Sequence, residues 1–263
     1  MSTRPSAQPD APVVERSAWR PLQNALFRSL WIATIVSNIG TWMHDVGAGW
    51  LMTSLSSSPL MVALIEAADS FPLMLLALPA GALADIVDRR RLLIGIQVYM
   101  LAVAAALGVM TLLELTTAWL LIGFTFALGI GGALMMPAWA SIVPVLVPTE
   151  DLPSAIALNS VAINGARAIG PAIAGVLVAA VGPWLVFMLN AVSYVGILVA
   201  LLRWRREREK STLPAERFFS AIRVGMRFVT HARALPIVLI RGSAFFIFAS
   251  DLVVVSPHRT QGA

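Results

Sequence analysis

Four ionisable side chains lie inside long apolar stretches of the chain: Asp45, Glu66, Asp69 and Arg167. At the centre of a bilayer each would cost at least ~2.5–3.5 kcal/mol unless it is paired or faces water. Glu66 and Asp69 stand at i and i+3, which places them on one helical face. Two close carboxylates in a low dielectric resist ionising together, so one of the pair is expected to hold a proton at neutral pH. That pair, or Asp45, is a candidate for proton coupling; the alternative is a static polar cluster that fixes helix packing. Arg167 falls near mid-depth of its own segment, where pairing with Asp45 or Asp69 is geometrically reasonable. Asn38, Thr41 and Asp45 share one helical stripe, and Ser160, Asn164 and Arg167 share another. Both stripes are expected to face inward, toward substrate.

His44 beside Asp45 invites a metal or catalytic reading. Adjacent helical residues point about 100° apart and do not converge. There is no HExxH, no cysteine and no GxxxxGK[ST] phosphate loop. Metal sites, thiol chemistry and an ATP motor are therefore not expected, nor is any cofactor or enzymatic activity.

The elements that carry these residues follow from composition. Hydrophobic residues form 58% of the chain and charged residues 13%, against roughly 45–50% and about 25% in soluble domains. Mean hydropathy is +0.81. The excess is gathered into blocks about twenty residues long, the span of a bilayer core. Spanning helices are predicted over residues 30–52, 60–84, 92–113, 118–143, 154–181 and 184–202, with the start of a seventh over 235–255. Residues 1–27 read as a tail, 28–202 as a six-helix bundle, 203–234 as a basic amphipathic loop on the membrane surface, and 235–263 as a partial helix with an atypical tail. Gly182 and Pro183 predict a tight hairpin between the last two full spans.

Basic residues fix the expected orientation. Arg4, Arg16, Arg20 and Arg28 precede the first span, Arg89, Arg90 and Arg91 separate the second and third, and a dense run from Arg203 to Arg233 follows the sixth. The connections on the other side carry no Arg or Lys. The N-terminus is therefore expected in the cytoplasm. The net charge of +5 is accounted for by topology, so no nucleic-acid partner is expected. Trp19, Trp50, Trp119, Trp184 and Trp204 fall near the expected interfaces and read as anchors.

The segment GALADIVDRRRLL, Gly81 to Leu93, resembles the signature loop of the major facilitator superfamily, GxLADrxGRrxxL. Gly81, Leu83, Ala84, Asp85, Arg89, Arg90 and Leu93 match; Ile86 and Asp88 depart from it. The strings SNIGTWMHDVGAGWLMTSL and NSVAINGARAIGPAIAGVL are similar to the branch containing bacterial drug exporters and the enterobactin exporter. Ala166, Gly170, Pro171, Ala174 and Gly175 resemble that superfamily's antiporter motif, with small residues permitting close helix packing as the plainer reading. The resemblance covers about residues 27–248. It implies an all-α integral membrane fold: the six-helix N-terminal bundle of a major facilitator plus the beginning of a seventh helix. It also implies a loop, with Gly81, Asp85, Asp88, Arg89 and Arg90, that latches two transporter halves in one conformational state.

The implied function is secondary active, proton-coupled efflux of small amphiphilic molecules across a bacterial-type cytoplasmic membrane. Its partners would be the lipid bilayer, substrate, protons and a second transporter half or a second copy of the chain. Because the stretch DLVVVSPHRTQGA departs from the superfamily's pattern, truncation is expected. The alternative is a non-transporting membrane scaffold that regulates a full-length relative.

Overall fold

The computed structural model describes residues 17–204. The N-terminal tail before residue 17, the basic loop and the expected seventh helix lie outside the described residues. Within them the chain forms six long helices and no strand: α1 (Ala25–Leu55), α2 (Pro59–Ile86), α3 (Arg89–Leu112), α4 (Ala118–Leu146), α5 (Leu152–Ala180) and α6 (Pro183–Arg203). Five of them, α2 to α6, are long and apolar enough to cross a membrane. At 31 residues α1 is the longest, but Ser37, Asn38, His44 and Asp45 dilute its apolar character.

Local chemistry sets the helix ends. Asn24 accepts from the amides of Leu26 and Phe27 at 2.9 and 3.2 Å, satisfying two of the donors that a helix start leaves free. This cap lets α1 begin earlier than its apolar pattern suggested. The Asn24 amide also donates to the Leu146 carbonyl at 2.9 Å, tying the start of α1 to the end of α4. Asp88 caps α3 by accepting from the Arg91 amide at 2.9 Å. Pro59 and Pro183 open α2 and α6, where a missing N–H costs nothing. Gly182, at φ 111°, makes the sharp reversal between α5 and α6 in a backbone region that favours glycine.

The helices pack in an arc, in the spatial order α2, α4, α3, α6, α1, α5. Two buried clusters hold it. One, around Leu30, Leu93, Ile142 and Leu201, lies at the end where α1 begins; the other, around Met52, Leu107, Leu121 and Phe187, lies at the opposite end. In lipid such contacts act through close packing rather than escape from water. Trp204 is 8% exposed and belongs to the first cluster, so it is a core residue rather than an outward-turned anchor. Trp19, Trp50 and Trp119 are exposed.

Candidate functional site

The open arc leaves α1 and α4 facing a central hollow. Asp45 from α1 and Asp69 from α2 line one cavity of about 290 Å³, together with Thr41, His44 and Tyr194. Asp45 lies within electrostatic reach of both Asp69 and Glu66. Glu66 stands about one turn from Asp69 on α2, and all three acids are exposed within this six-helix unit.

The backbone around Asp69 explains its placement. Pro72 cannot donate to the carbonyl of Ala68, which frees that oxygen. Gly129 of α4 packs directly onto the spot: a Cβ there would lie 2.7 Å from the Asp69 carbonyl oxygen and 3.2 Å from that of Ala68. Only a bare backbone allows α4 so close to α2. The contact fixes where Asp69 enters the cavity.

A second cavity of about 570 Å³ opens toward the end of the bundle where α1 begins, bounded by α1, α3, α4, α5 and α6. Thr41, Met100, Gly132, Met136 and Tyr194 line both spaces, so the two adjoin. The α1 stripe read from sequence is preserved. Asn38 lines the larger cavity, Asp45 the smaller, and Thr41 both. The buried Tyr194 hydroxyl accepts from the Asn190 amide at 3.2 Å.

The α5 stripe divides. Ser160 lines the larger cavity, whereas Asn164 and Arg167 are exposed and line neither space. The Asn164 amide donates to the Ser160 carbonyl of its own helix at 2.8 Å. Arg167 does not pair with Asp45 or Asp69, contrary to expectation. Its guanidinium lies over the Trp42 indole, 5.3 Å from the ring centroid. The α5 packing stripe explains why. Ala166, Gly170 and Ala174 are buried, and a Cβ on Gly170 would come 2.6 Å from Trp42 Cβ. That approach presents Trp42 to α5 while Asp45 faces the α2 side. Pro171 follows within the same helix, and Gly175 faces open space.

The expected loop is largely helical: only Val87 and Asp88 connect α2 to α3, and the first residues of α3 engage their own bundle. Arg89 donates to the Ser141 carbonyl of α4 at 2.9 Å. Arg90 donates to the carbonyls of Leu201 and Leu202, at 2.7 and 3.0 Å. These are terminal carbonyls of α6, the negative end of its dipole, where a cation is favoured. Gly81 and Asp85 sit in the last two turns of α2, and Gly81 has open space beside it.

His44 is buried against Phe187, with ring centroids 4.8 Å apart. No cluster of three or more metal-ligating residues occurs among the described residues. Sequence reasoning passed over Gln97, Trp139 and Tyr194, which also line the cavities. A lone glutamine inside an apolar block was the available signal for the first.

A family model described as a transmembrane secretion effector matches residues 16–259. The chain belongs to this family. It is thereby a member of the major facilitator superfamily and a multi-pass membrane protein. Similar proteins include the MFS-type transporter YfiS of Bacillus subtilis, 25% identical over 229 residues, covering 83% of this chain and 53% of that protein. A staphyloferrin A transporter of Staphylococcus aureus is 29% identical over 165 residues, 62% of this chain and 42% of its own length. Macrolide efflux protein A of Streptococcus pyogenes is 23% identical over 176 residues, 67% and 42% respectively. The chain spans about half the length of the curated relatives it matches.

Proposed function

We propose that this chain forms the N-terminal six-helix unit of a proton-coupled exporter of small amphiphilic compounds. One observation carries the reading: Asp45 and Asp69, from different helices, line a single cavity. Acids facing a water-accessible hollow inside a membrane bundle are suited to taking up and releasing protons. The adjoining larger cavity supplies an apolar bed for a substrate. Relatives named for macrolide efflux and for staphyloferrin transport agree with a small-molecule cargo and leave an enterobactin-exporter-like branch as one placement within the family.

In this reading α1 crosses the membrane with its start in the cytoplasm. A second bundle, from a further segment or a second copy, closes the arc between α2 and α5. Alternating access then arises from rocking one bundle against the other. The α2–α3 junction, with Asp85 near the end of α2, Asp88 in the connection and Arg89 and Arg90 at the start of α3, latches the two in one state, and Arg167 and Asn164 meet the second bundle.

The test is substrate-dependent proton flux in inverted membrane vesicles expressing the protein, with Asp45→Asn and Asp69→Asn variants at matched abundance. Loss of pH-driven uptake in either variant supports the assignment. Unchanged pH dependence in both removes it.

A further inference from the structure

The two free ends of the arc carry opposite charge. One end is α2, which packs on α4 and only lightly on α1 and α3; the other is α5, which packs chiefly on α1. Glu66 and Asp69 are exposed on α2, and Arg167 is exposed on α5. Among the described residues no carboxylate forms an ion pair with Arg167, and its stacking on Trp42 leaves the charge without a counter-ion. Unpaired charges at membrane depth are costly, so each end of the arc calls for the sign that the other end carries.

The ends also match in depth and in shape. Ile65 of α2 and Val178 of α5 belong to one buried cluster, so α2 begins on the side of the membrane where α5 ends. Asp69 lies about 15 Å from the start of α2, and Arg167 about 20 Å from the end of α5. An arginine side chain spans that difference of about 5 Å. Within one copy the two residues stand at opposite ends of the arc and do not meet. Beside the acids, exposed Ala63, Ser70 and Ala77 recur along one face of α2, whereas Phe71, Leu75 and Leu78 occupy a separate exposed face. Beside Arg167, exposed Ala157, Asn164 and Ala168 share a face of α5. Faces of small residues suit close approach of another helix, and bulky faces suit lipid.

We infer that a second copy of this chain closes the arc, with α2 of each copy against α5 of the other and Arg167 of each paired with Asp69 of the other. A two-fold axis along the membrane normal makes this contact twice, so both arginines and both aspartates gain a counter-ion together. Asp69 lines the smaller cavity, and the second copy thereby contributes a cation to a site that one copy leaves wholly acidic. The inference rests on the proposed closing of the arc by a second bundle and names that bundle.

The experiment measures self-association of the full chain in lipid vesicles, by energy transfer between copies labelled at the amino terminus and diluted with lipid. Transfer is expected to persist at dilutions where random proximity gives none. Arg167→Asp and Asp69→Arg should each weaken association more than about tenfold by placing like charges together. The two changes combined in one chain should restore it, which a folding defect would not. The chain has no cysteine, so a disulfide reports the contact directly. Ser70 and Ala168 lie within about 2 Å of equal depth. Chains carrying Ser70→Cys and Ala168→Cys should cross-link on oxidation with copper phenanthroline when co-expressed, and neither should cross-link alone. If the combined charge variant loses helicity by circular dichroism, the cross-link decides. Transfer at the random level, no recovery in a folded combined variant, or absence of the mixed cross-link overturns the inference. So does cross-linking of either single-cysteine chain with itself, which would place a different face at the contact. No proton gradient is involved, so a monomeric result leaves the flux measurement that tests the transport reading standing.

Discussion

Gly170 of α5 and Trp42 of α1 touch where a single added carbon would not fit: a Cβ on Gly170 would lie 2.6 Å from Trp42 Cβ and 3.1 Å from the Ile39 carbonyl oxygen. This contact joins two helices that border the central hollow. It also sets which side of α1 faces α5 and which faces the acids.

Gly170→Val is therefore expected to separate α5 from α1 and to destabilise the bundle by about 1–3 kcal/mol, the usual range for overpacking. Gly175→Ala, with nothing within 4 Å of its Cβ position, should be neutral or slightly stabilising because alanine is the better helix former. Thermal unfolding in detergent, followed by circular dichroism, separates the two. Equal effects at both positions would show that the packing is looser than described.

Asp45 and Asp69 line the same cavity and interact electrostatically, so substitutions there should not add. The double variant Asp45→Asn/Asp69→Asn is expected to depart from the sum of the single effects on proton-driven flux by an amount equivalent to about 0.5–3 kcal/mol. Strict additivity in the vesicle assay would mean that the two acids act separately.

Arg90 holds two terminal carbonyls of α6. Arg90→Ala should cost about 1–3 kcal/mol through the lost charge-assisted bonds. Arg90→Lys should recover only part of this, because an ammonium lacks the planar donor geometry. Amide hydrogen exchange near Leu201 and Leu202 is the direct measurement. Protection unchanged in both variants would remove the capping role.

The Arg167–Trp42 stack contributes about 0.5–1 kcal/mol at an exposed site. Trp42→Leu should release Arg167, raising the accessibility of a cysteine introduced at Asn164 to a membrane-impermeant thiol reagent. An unaltered labelling rate would argue that α5 is held by Gly170 alone.

Much of the molecule is legible from local pattern. Apolar blocks, the proline and glycine punctuation at Pro59, Gly182 and Pro183, and the i, i+3, i+7 spacing of Asn38, Thr41 and Asp45 predict helices and one cavity-facing stripe. The α5 stripe misled in part, because periodicity identifies a shared face without saying what opposes it. Ser160 meets the cavity, whereas Arg167 meets Trp42. Gln97 and Trp139 escaped notice for the same reason: each is a single polar group in an apolar helix, and nothing in its own segment tells that another helix brings a hollow beside it.

The sequence by itself determined that the chain resides in lipid and is helical, because hydropathy and helical repeat are properties of neighbouring residues along one segment. Only tertiary structure decided that Asp45 and Asp69 share a cavity, that Arg167 stacks on an indole, and that Gln97 and Trp139 face the same space. Those relations depend on which helices are adjacent in the arc. Adjacency is set by close approaches such as Gly129 on the α2 backbone and Gly170 on Trp42, where shape matching between distant segments outweighs anything either segment specifies alone.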